Sequence, residues 1–267
     1  MDIIKVNSLI TGYEKKIIID DLSLSIRKGA ITTIIGENGS GKSTFLKTIG
    51  RVIKPKSGEI SVNDLNIHKT KTETIAKIIG LLPQTPKAPS GLSVTEIVEY
   101  GRFPHKKGRG KLTKEDHEIV TWALKNTDLL EFKDRNINAL SGGQRQRVWI
   151  ALVLAQQTDV ILLDEPTTYL DMAYQLEVLQ LVQKLNREKE ITVVMVLHDI
   201  NQASRFSDEL IMLRDGKIVA QGSPKETMTA EILETVFDVD ATIIDVPGAD
   251  YPVCVSYELL RGAHGAN

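Results

Sequence analysis

Cysteine is almost missing from this sequence: Cys254 stands alone among 267 residues. It can close no internal disulfide and has no C-x-x-C partner for zinc, which excludes a disulfide-stapled scaffold and a cysteine metal site. Its expected role is an inert packed thiol. Long apolar runs are missing as well. Stretches such as Ile191–Leu197 fall far short of the roughly 20 residues a bilayer core requires, so no membrane span is expected. An excess of one charge is also lacking, with 33 Lys+Arg against 35 Asp+Glu and a formal net charge of −2. That balance argues against a protein held to nucleic acid by bulk charge. The first residues, MDIIKVNSLITGYEKK, have neither the basic start nor the long apolar centre of a signal peptide, so a cytoplasmic location is expected. Repeats and low-complexity blocks are absent.

What remains is ordinary globular material, 42% hydrophobic and 25% charged. A chain this long folds as one large domain or two small ones, burying about three-quarters of its unfolded surface without disulfides or metal. Ile3–Leu9 and Ile17–Ile26 read as strands with Thr11-Gly12 between them, and Ile31–Ile35 is a β-branched run entering a glycine loop. Lys42–Ile49 has helical character, and Gly58–Val62 and Ile78–Leu82 are further strands. Beyond Pro86, Pro89 and Gly91 the pattern turns helical to about residue 157. Ser93 followed by Glu96 is a capping-box signal, Thr113 with Asp116 opens a second helix, and Ser141 opens a third. Trp122 and Trp149 are expected to pack this segment. Val160–Leu163 and Ile191–Leu197 are continuous apolar runs of the kind found in parallel strands covered on both faces, and the amphipathic Met172–Arg187 can cross between them. Asp215-Gly216 is a hairpin signal, and the tail from about Asp238 reads as short strands around Pro247-Gly248. The expected fold class is therefore an α/β core interrupted by a helical insertion, about residues 87–157.

The chemistry concentrates at strand ends. Gly36-Glu37-Asn38-Gly39-Ser40-Gly41-Lys42-Ser43 fits the G-x-x-x-x-G-K-[ST] phosphate loop, with a strand before it and a helix after. Glycines there let backbone N–H groups turn toward phosphate oxygens, and the helix N-terminus adds partial positive charge. Lys42 would reach the β- and γ-phosphates of a nucleotide and the Ser43 hydroxyl would ligate Mg²⁺. Val160–Leu163 delivers Asp164-Glu165, a metal ligand followed by a carboxylate able to polarise water. Ile191–Leu197 delivers His198. Three parallel strands ending in these groups would set them along one sheet edge, where open α/β sheets bind ligands.

The most specific segment is Leu140-Ser141-Gly142-Gly143-Gln144, an N-cap followed by two glycines that cost helix stability unless something must approach closely. Here the sequence resembles the ABC-transporter ATPase family, whose signature is LSGGQ, and the resemblance covers nearly the whole chain in the family's motif order. It implies a P-loop NTPase fold, a RecA-like parallel sheet core with an antiparallel β subdomain and a helical insertion. Residues 2–240 would form the nucleotide-binding domain and 241–267 a short extension. Tyr13 resembles the aromatic that stacks on adenine, and 36–44, ending in Thr44, the Walker A segment. Gln84 resembles the Q-loop glutamine, expected with Ser43 and Asp164 in the metal shell. Glu165 is similar to the catalytic glutamate, Asp171 to the D-loop aspartate and His198 to the H-loop histidine. The cofactors implied are ATP and Mg²⁺. The implied partner is a second copy packed head to tail, so that Ser141, Gly142, Gly143 and Gln144 contact nucleotide held by the other copy.

Ser93–His105, Thr167–Asp171 and Glu231–Ala241 look most like the ATPases of ferric-siderophore, haem and cobalamin importers. That implies separate permease subunits, an extracytoplasmic binding protein, a place on the cytoplasmic face of the membrane and no nucleic-acid partner. Iron chelate is the leading cargo, cobalamin or haem the alternative, and a soluble non-transport ATPase a distant one. Arg102–Lys114 carries six basic residues and no acid, either a solvated loop or a contact for permease or lipid headgroups. Ala30 and Thr168-Tyr169 depart from the commoner family pattern, and neither is expected to touch a proposed catalytic group.

Overall fold

The computed structural model describes residues 1–89, 91–106 and 111–260. Part of the basic stretch Arg102–Lys114 and the end of the tail lie outside them. The chain forms two compact units, residues 1–68 with 194–267 and residues 69–193. In chain order the elements are β1 (Asp2–Tyr13), β2 (Lys16–Arg27), β3 (Ile31–Gly36), α1 (Lys42–Ile49), β4 (Ser57–Val62) and β5 (Leu65–Asn66). The second unit holds α2 (Thr72–Ile75), β6 (Ile79–Leu82), α3 (Val94–Glu99), α4 (Lys114–Asn126), α5 (Gly142–Ala155), β7 (Val160–Asp164) and α6 (Met172–Lys189). The chain returns to the first unit within β8 (Thr192–Val196). It continues as α7 (Ile200–Phe206), β9 (Glu209–Arg214), β10 (Lys217–Gly222), α8 (Pro224–Thr227), α9 (Ala230–Phe237), β11 (Val239–Asp245) and β12 (Pro252–Leu259).

In the first unit an antiparallel sheet runs β2-β1-β4-β5. Thr11-Gly12 was expected to separate two strands but lies inside β1, which pairs with β2 through Thr11↔Ile19 and Gly12↔Ile17. The reversal falls at Glu14, where φ is +44°. Gly12 serves close approach instead, since a Cβ there would come within 2.9 Å of the Ile18 nitrogen. β3 is buried along its whole length and pairs in parallel with β9, Ile34 opposite Ile211. β9 turns into β10 through Asp215-Gly216, both at positive φ, as the hairpin signal predicts. The tail forms the β11–β12 hairpin. Side chains of α7 grip its backbone. Asn201 donates to the Cys254 carbonyl at 3.0 Å and accepts its N–H at 2.8 Å, and Ser204 donates to the Pro252 carbonyl at 2.7 Å. Cys254 is buried, as expected of a packed thiol.

In the second unit β6 pairs in parallel with β7, Leu82 opposite Leu163, and β7 is buried throughout. The described elements between Val94 and Ala155 are helical. Three of these helices begin with reciprocal capping boxes, Ser93 with Glu96, Thr113 with Asp116 and Ser141 with Gln144. Each satisfies two N–H groups that the helix start would otherwise leave unbonded. Trp122 is half-buried beneath the Lys189 ammonium, 5.4 Å from its ring centre.

One buried ion pair ties the helices together. Arg102, only 4% exposed, donates through Nε to Asp116 Oδ1 at 2.8 Å and through an η nitrogen to the Ala155 carbonyl at 2.6 Å. Burial alone would raise the Asp116 pKa. The Thr113 N–H, the Arg102 guanidinium and the Thr113 hydroxyl outweigh it and pull the pKa from 3.8 down to about 2. Asp116→Asn is expected to cost about 3 kcal/mol in chemical denaturation, because it leaves a guanidinium buried beside a neutral partner. The folded pKa lies below the unfolded one, so the carboxylate's contribution is present in full above the unfolded value. It fades as pH falls toward about 2. The difference between wild type and Asn variant should shrink across that window.

Candidate functional site

The phosphate-loop segment lies wholly in the first unit. β3 ends at Gly36, and the backbone then turns through Gly39 at φ +86° and Gly41 at φ +104°, conformations that disfavour any side chain. α1 begins at Lys42, with Gly41 as a cap that supplies no side-chain acceptor. A helix start with no side-chain acceptor at its cap suits a phosphate, whose oxygens can take that place. Lys42 is 5% exposed and folds over the loop, donating from Nζ to the carbonyls of Gly36 and Glu37, each at 2.8 Å. Ser40 is buried, and its hydroxyl has no hydrogen-bond partner among the described residues. The 40–41 segment is braced by a hydrogen bond from the Gly216 N–H to the Ser40 carbonyl at 3.0 Å. Ser43 is half-buried and Thr44 buried, while Glu37 is half-buried and Asn38 exposed. Tyr13 is half-exposed where β1 ends, and the exposed His198 follows β8 two residues past its last strand residue, before the Asp199 cap of α7.

The second unit carries the acidic and signature groups. Asp164 closes β7 and is 1% exposed. Parallel register then determines the next contact. With Leu82 beside Leu163, residues two further along each chain emerge together, and Gln84 Nε2 donates to Glu165 Oε2 at 2.5 Å. Glu165 itself sits at φ +53°. Thr168 Oγ1 donates to the same Glu165 oxygen at 3.0 Å. This corrects the expectation that the departure at Thr168-Tyr169 touches no proposed catalytic group. A hydroxyl three residues after a carboxylate, across a proline-containing turn, is the pattern that could have revealed it. Tyr169 follows at φ +66° and is 91% exposed. Asp171 caps α6, accepting from the Tyr174 N–H at 3.1 Å.

In the signature segment Ser141 Oγ accepts the Gln144 N–H at 3.2 Å, and Gln144 Oε1 accepts the Ser141 N–H at 3.0 Å. The two glycines differ. Gly142 is exposed and has room for a Cβ, its nearest neighbour being Leu170 Cδ2 at 3.7 Å. Gly143 is buried against Tyr174, whose Cγ would lie 2.8 Å from a Cβ. Among the described residues no group of three or more His, Cys, Asp or Glu side chains could hold a metal ion. Taken singly, the Ser43 hydroxyl, the Gln84 amide oxygen and the Asp164 carboxylate are each oxygen donors of the type that Mg²⁺ accepts, an ion commonly held by one or two carboxylates together with substrate phosphates.

A parallel sheet, an antiparallel sheet, a glycine loop closing on a lysine and a strand ending in adjacent carboxylates define a nucleotide-binding P-loop ATPase. The chain belongs to the ABC transporter family, whose model matches residues 19–168. It is 51% identical over 261 residues to the iron(3+)-hydroxamate import ATP-binding protein FhuC of Bacillus subtilis (strain 168), covering 98% of this chain and 97% of that one. It is 46% identical to the ferric enterobactin transport ATP-binding protein FepC of Escherichia coli (strain K12), covering 92% and 91%. Among solved structures, a dimeric post-hydrolysis state of the ATP-binding cassette MJ0796 with ADP and Pi superposes with a TM-score of 0.71 at 35% identity, covering 82% of this chain and 98% of that one.

The glycine geometry makes a prediction about stability alone. Gly143→Ala is expected to lower the thermal stability of the chain by about 1–3 kcal/mol, since Tyr174 must move. Gly142→Ala should stay within about 1 kcal/mol of wild type, with helix propensity in its favour. Equal losses at both positions would show that space beside Tyr174 does not distinguish them.

Proposed function

We propose that this chain is the ATP-hydrolysing subunit of a bacterial importer, powering uptake of a ferric siderophore through separate permease subunits. The observation that carries this reading is the complete ordered motif set, together with near full-length similarity to import ATP-binding proteins named for iron(3+)-hydroxamate and ferric enterobactin. No helix among the described residues is long and apolar enough to cross a membrane, so the chain would sit peripherally at the membrane, bound to its permease. An extracytoplasmic binding protein would deliver the cargo. Residues 2–240 form the nucleotide-binding domain in this reading, with about 87–157 its helical insertion and 241–267 an extension.

The roles of the side chains follow the resemblance. Tyr13 stacks on adenine. Backbone N–H groups of 36–44 and the Lys42 ammonium bind the β- and γ-phosphates, for which Lys42 exchanges its bonds to the Gly36 and Glu37 carbonyls. Ser43, Gln84 and Asp164 would hold Mg²⁺, which when bound neutralises charge on the phosphate oxygens. Glu165 orients and polarises the attacking water, and His198 contacts the γ-phosphate and helps hold that water. Ser141, Gly142 and Gly143 meet the γ-phosphate bound by a second copy, Gln144 completes the signature segment that faces that nucleotide, and Asp171 lies at the seam between copies. Contacts to the γ-phosphate that exist only in the closed pair make closure on ATP a ligand-driven population shift.

Glu165→Gln is expected to bind ATP as wild type does and to accumulate as a dimer, while turnover falls by about 100-fold or more. Equilibrium nucleotide binding, size-exclusion chromatography and phosphate release measure the three. Rapid steady-state hydrolysis by this variant would remove Glu165 from the chemistry.

Cargo is tested in cells lacking the chain, offered labelled ferric siderophores, haem and cobalamin separately. Loss of ferric-chelate uptake, restored by wild type and not by Glu165→Gln, is the expected result. Loss of haem or cobalamin uptake instead would overturn the cargo and leave the ATPase role standing.

A further inference from the structure

Glu165 leaves the buried strand β7 in a left-handed backbone conformation, and its carbonyl accepts the Thr168 N–H at 3.3 Å. Pro166 and Thr167, the residues between, are buried. The chain therefore doubles back within four residues and brings the Thr168 side chain over the carboxylate it has just passed. Thr168 Oγ1 donates to Glu165 Oε2 at 3.0 Å, the same oxygen that receives the Gln84 amide at 2.5 Å. Two neutral donors arriving on one oxygen from different segments restrict rotation of the carboxylate about its terminal bond, which is intrinsically soft. The two donors are not equivalent. Gln84 is exposed and reaches Glu165 on a long side chain. Thr168 is half-buried, short and stiff at χ1, and its position is set by the turn it shares with Glu165.

We propose that Thr168 is a positioning residue for hydrolysis: its hydroxyl holds the Glu165 carboxylate in the orientation that polarises the attacking water. The inference rests on the role given to Glu165 above and adds a residue whose hydroxyl acts only through it. Gln84 also has a role in the metal shell, so its contact with Glu165 competes with a second duty. The hydroxyl contact carries no such competition, and it persists for as long as the 165–168 turn does. Orientation of this kind contributes to the chemical step and not to nucleotide affinity, because a carboxylate aimed at water makes no contact with ATP in the ground state.

Thr168→Val removes the donor and keeps the branched shape, and Thr168→Ser restores the donor without the methyl group. Phosphate release and ATP binding are measured on the full chain for both variants, alone and combined with Glu165→Gln. The Val variant is expected to lower kcat by roughly 10-fold to 100-fold, the scale on which misplaced catalytic groups lose rate, with KM for ATP and thermal stability within about twofold and a few degrees of wild type. The Ser variant should recover most of that loss. In the Glu165→Gln background, Thr168→Val should lower the residual rate no further, since the group it positions is already gone.

A Val variant at wild-type rate, equal losses in Val and Ser, or an undiminished loss in the Glu165→Gln background would each overturn the inference. Wild-type turnover by Glu165→Gln alone would instead overturn the role of Glu165, and the two failures are told apart by that single control.

Discussion

A strand buried on both faces can offer a reactive side chain only where it stops. β3, β7 and β8 are buried at every position, so a charged side chain along them would need a partner to offset the cost of its burial. The Gly36 loop, the Asp164-Glu165 pair and His198 all stand at or just beyond the C-terminal ends of these strands. Each then passes into a segment whose conformation is fixed locally: positive-φ glycines after β3, a left-handed Glu165 after β7, an Asp199 cap after β8. The apolar strands supply rigidity, and the turns supply aim. Neither can be exchanged for the other, because a longer strand would bury the chemistry and a looser turn would misdirect it.

Two residues of the proposed site also act as structural caps. Ser141 closes the start of α5 with Gln144, and Asp171 closes α6. Their polar atoms are placed by backbone hydrogen bonds before any partner approaches. Preorganisation follows, since groups already held in place lose less freedom on binding. It also means that removing such a side chain carries a folding cost of its own, typically about 1 kcal/mol for a cap, apart from any effect on the proposed function. Gly143 adds a further constraint, because the missing side chain is required by Tyr174 packing within the same unit.

Much of the fold was legible because its signals are local. Capping boxes at Ser93, Thr113 and Ser141 involve residues three apart, Asp215-Gly216 specifies its own turn, and continuous apolar runs mark β7 and β8 directly. The ordered motifs pointed to the family in the same way. Features set by distant packing were not legible. Thr11-Gly12 looks like a break, yet cross-strand pairing with β2 carries β1 through it. Arg102 reads as one member of a solvated basic run, yet Asp116 and the Ala155 carbonyl draw it inside. Thr168 looks like a variable position in a loop, and only the left-handed turn at Glu165 brings its hydroxyl back onto the carboxylate.

The C-terminal hairpin shows how attachment and surface identity can be separated. Asn201 and Ser204 hold it through the main-chain atoms of Cys254 and Pro252. Outward, the hairpin presents Ile244, Val255, Tyr257 and Leu259. Main-chain amides and carbonyls are common to nearly every residue type, so the clasp places little demand on which side chains β12 carries away from α7. The outer surface of the hairpin is thereby free to drift in evolution, acquiring or losing stickiness, while its anchorage to the fold stays the same.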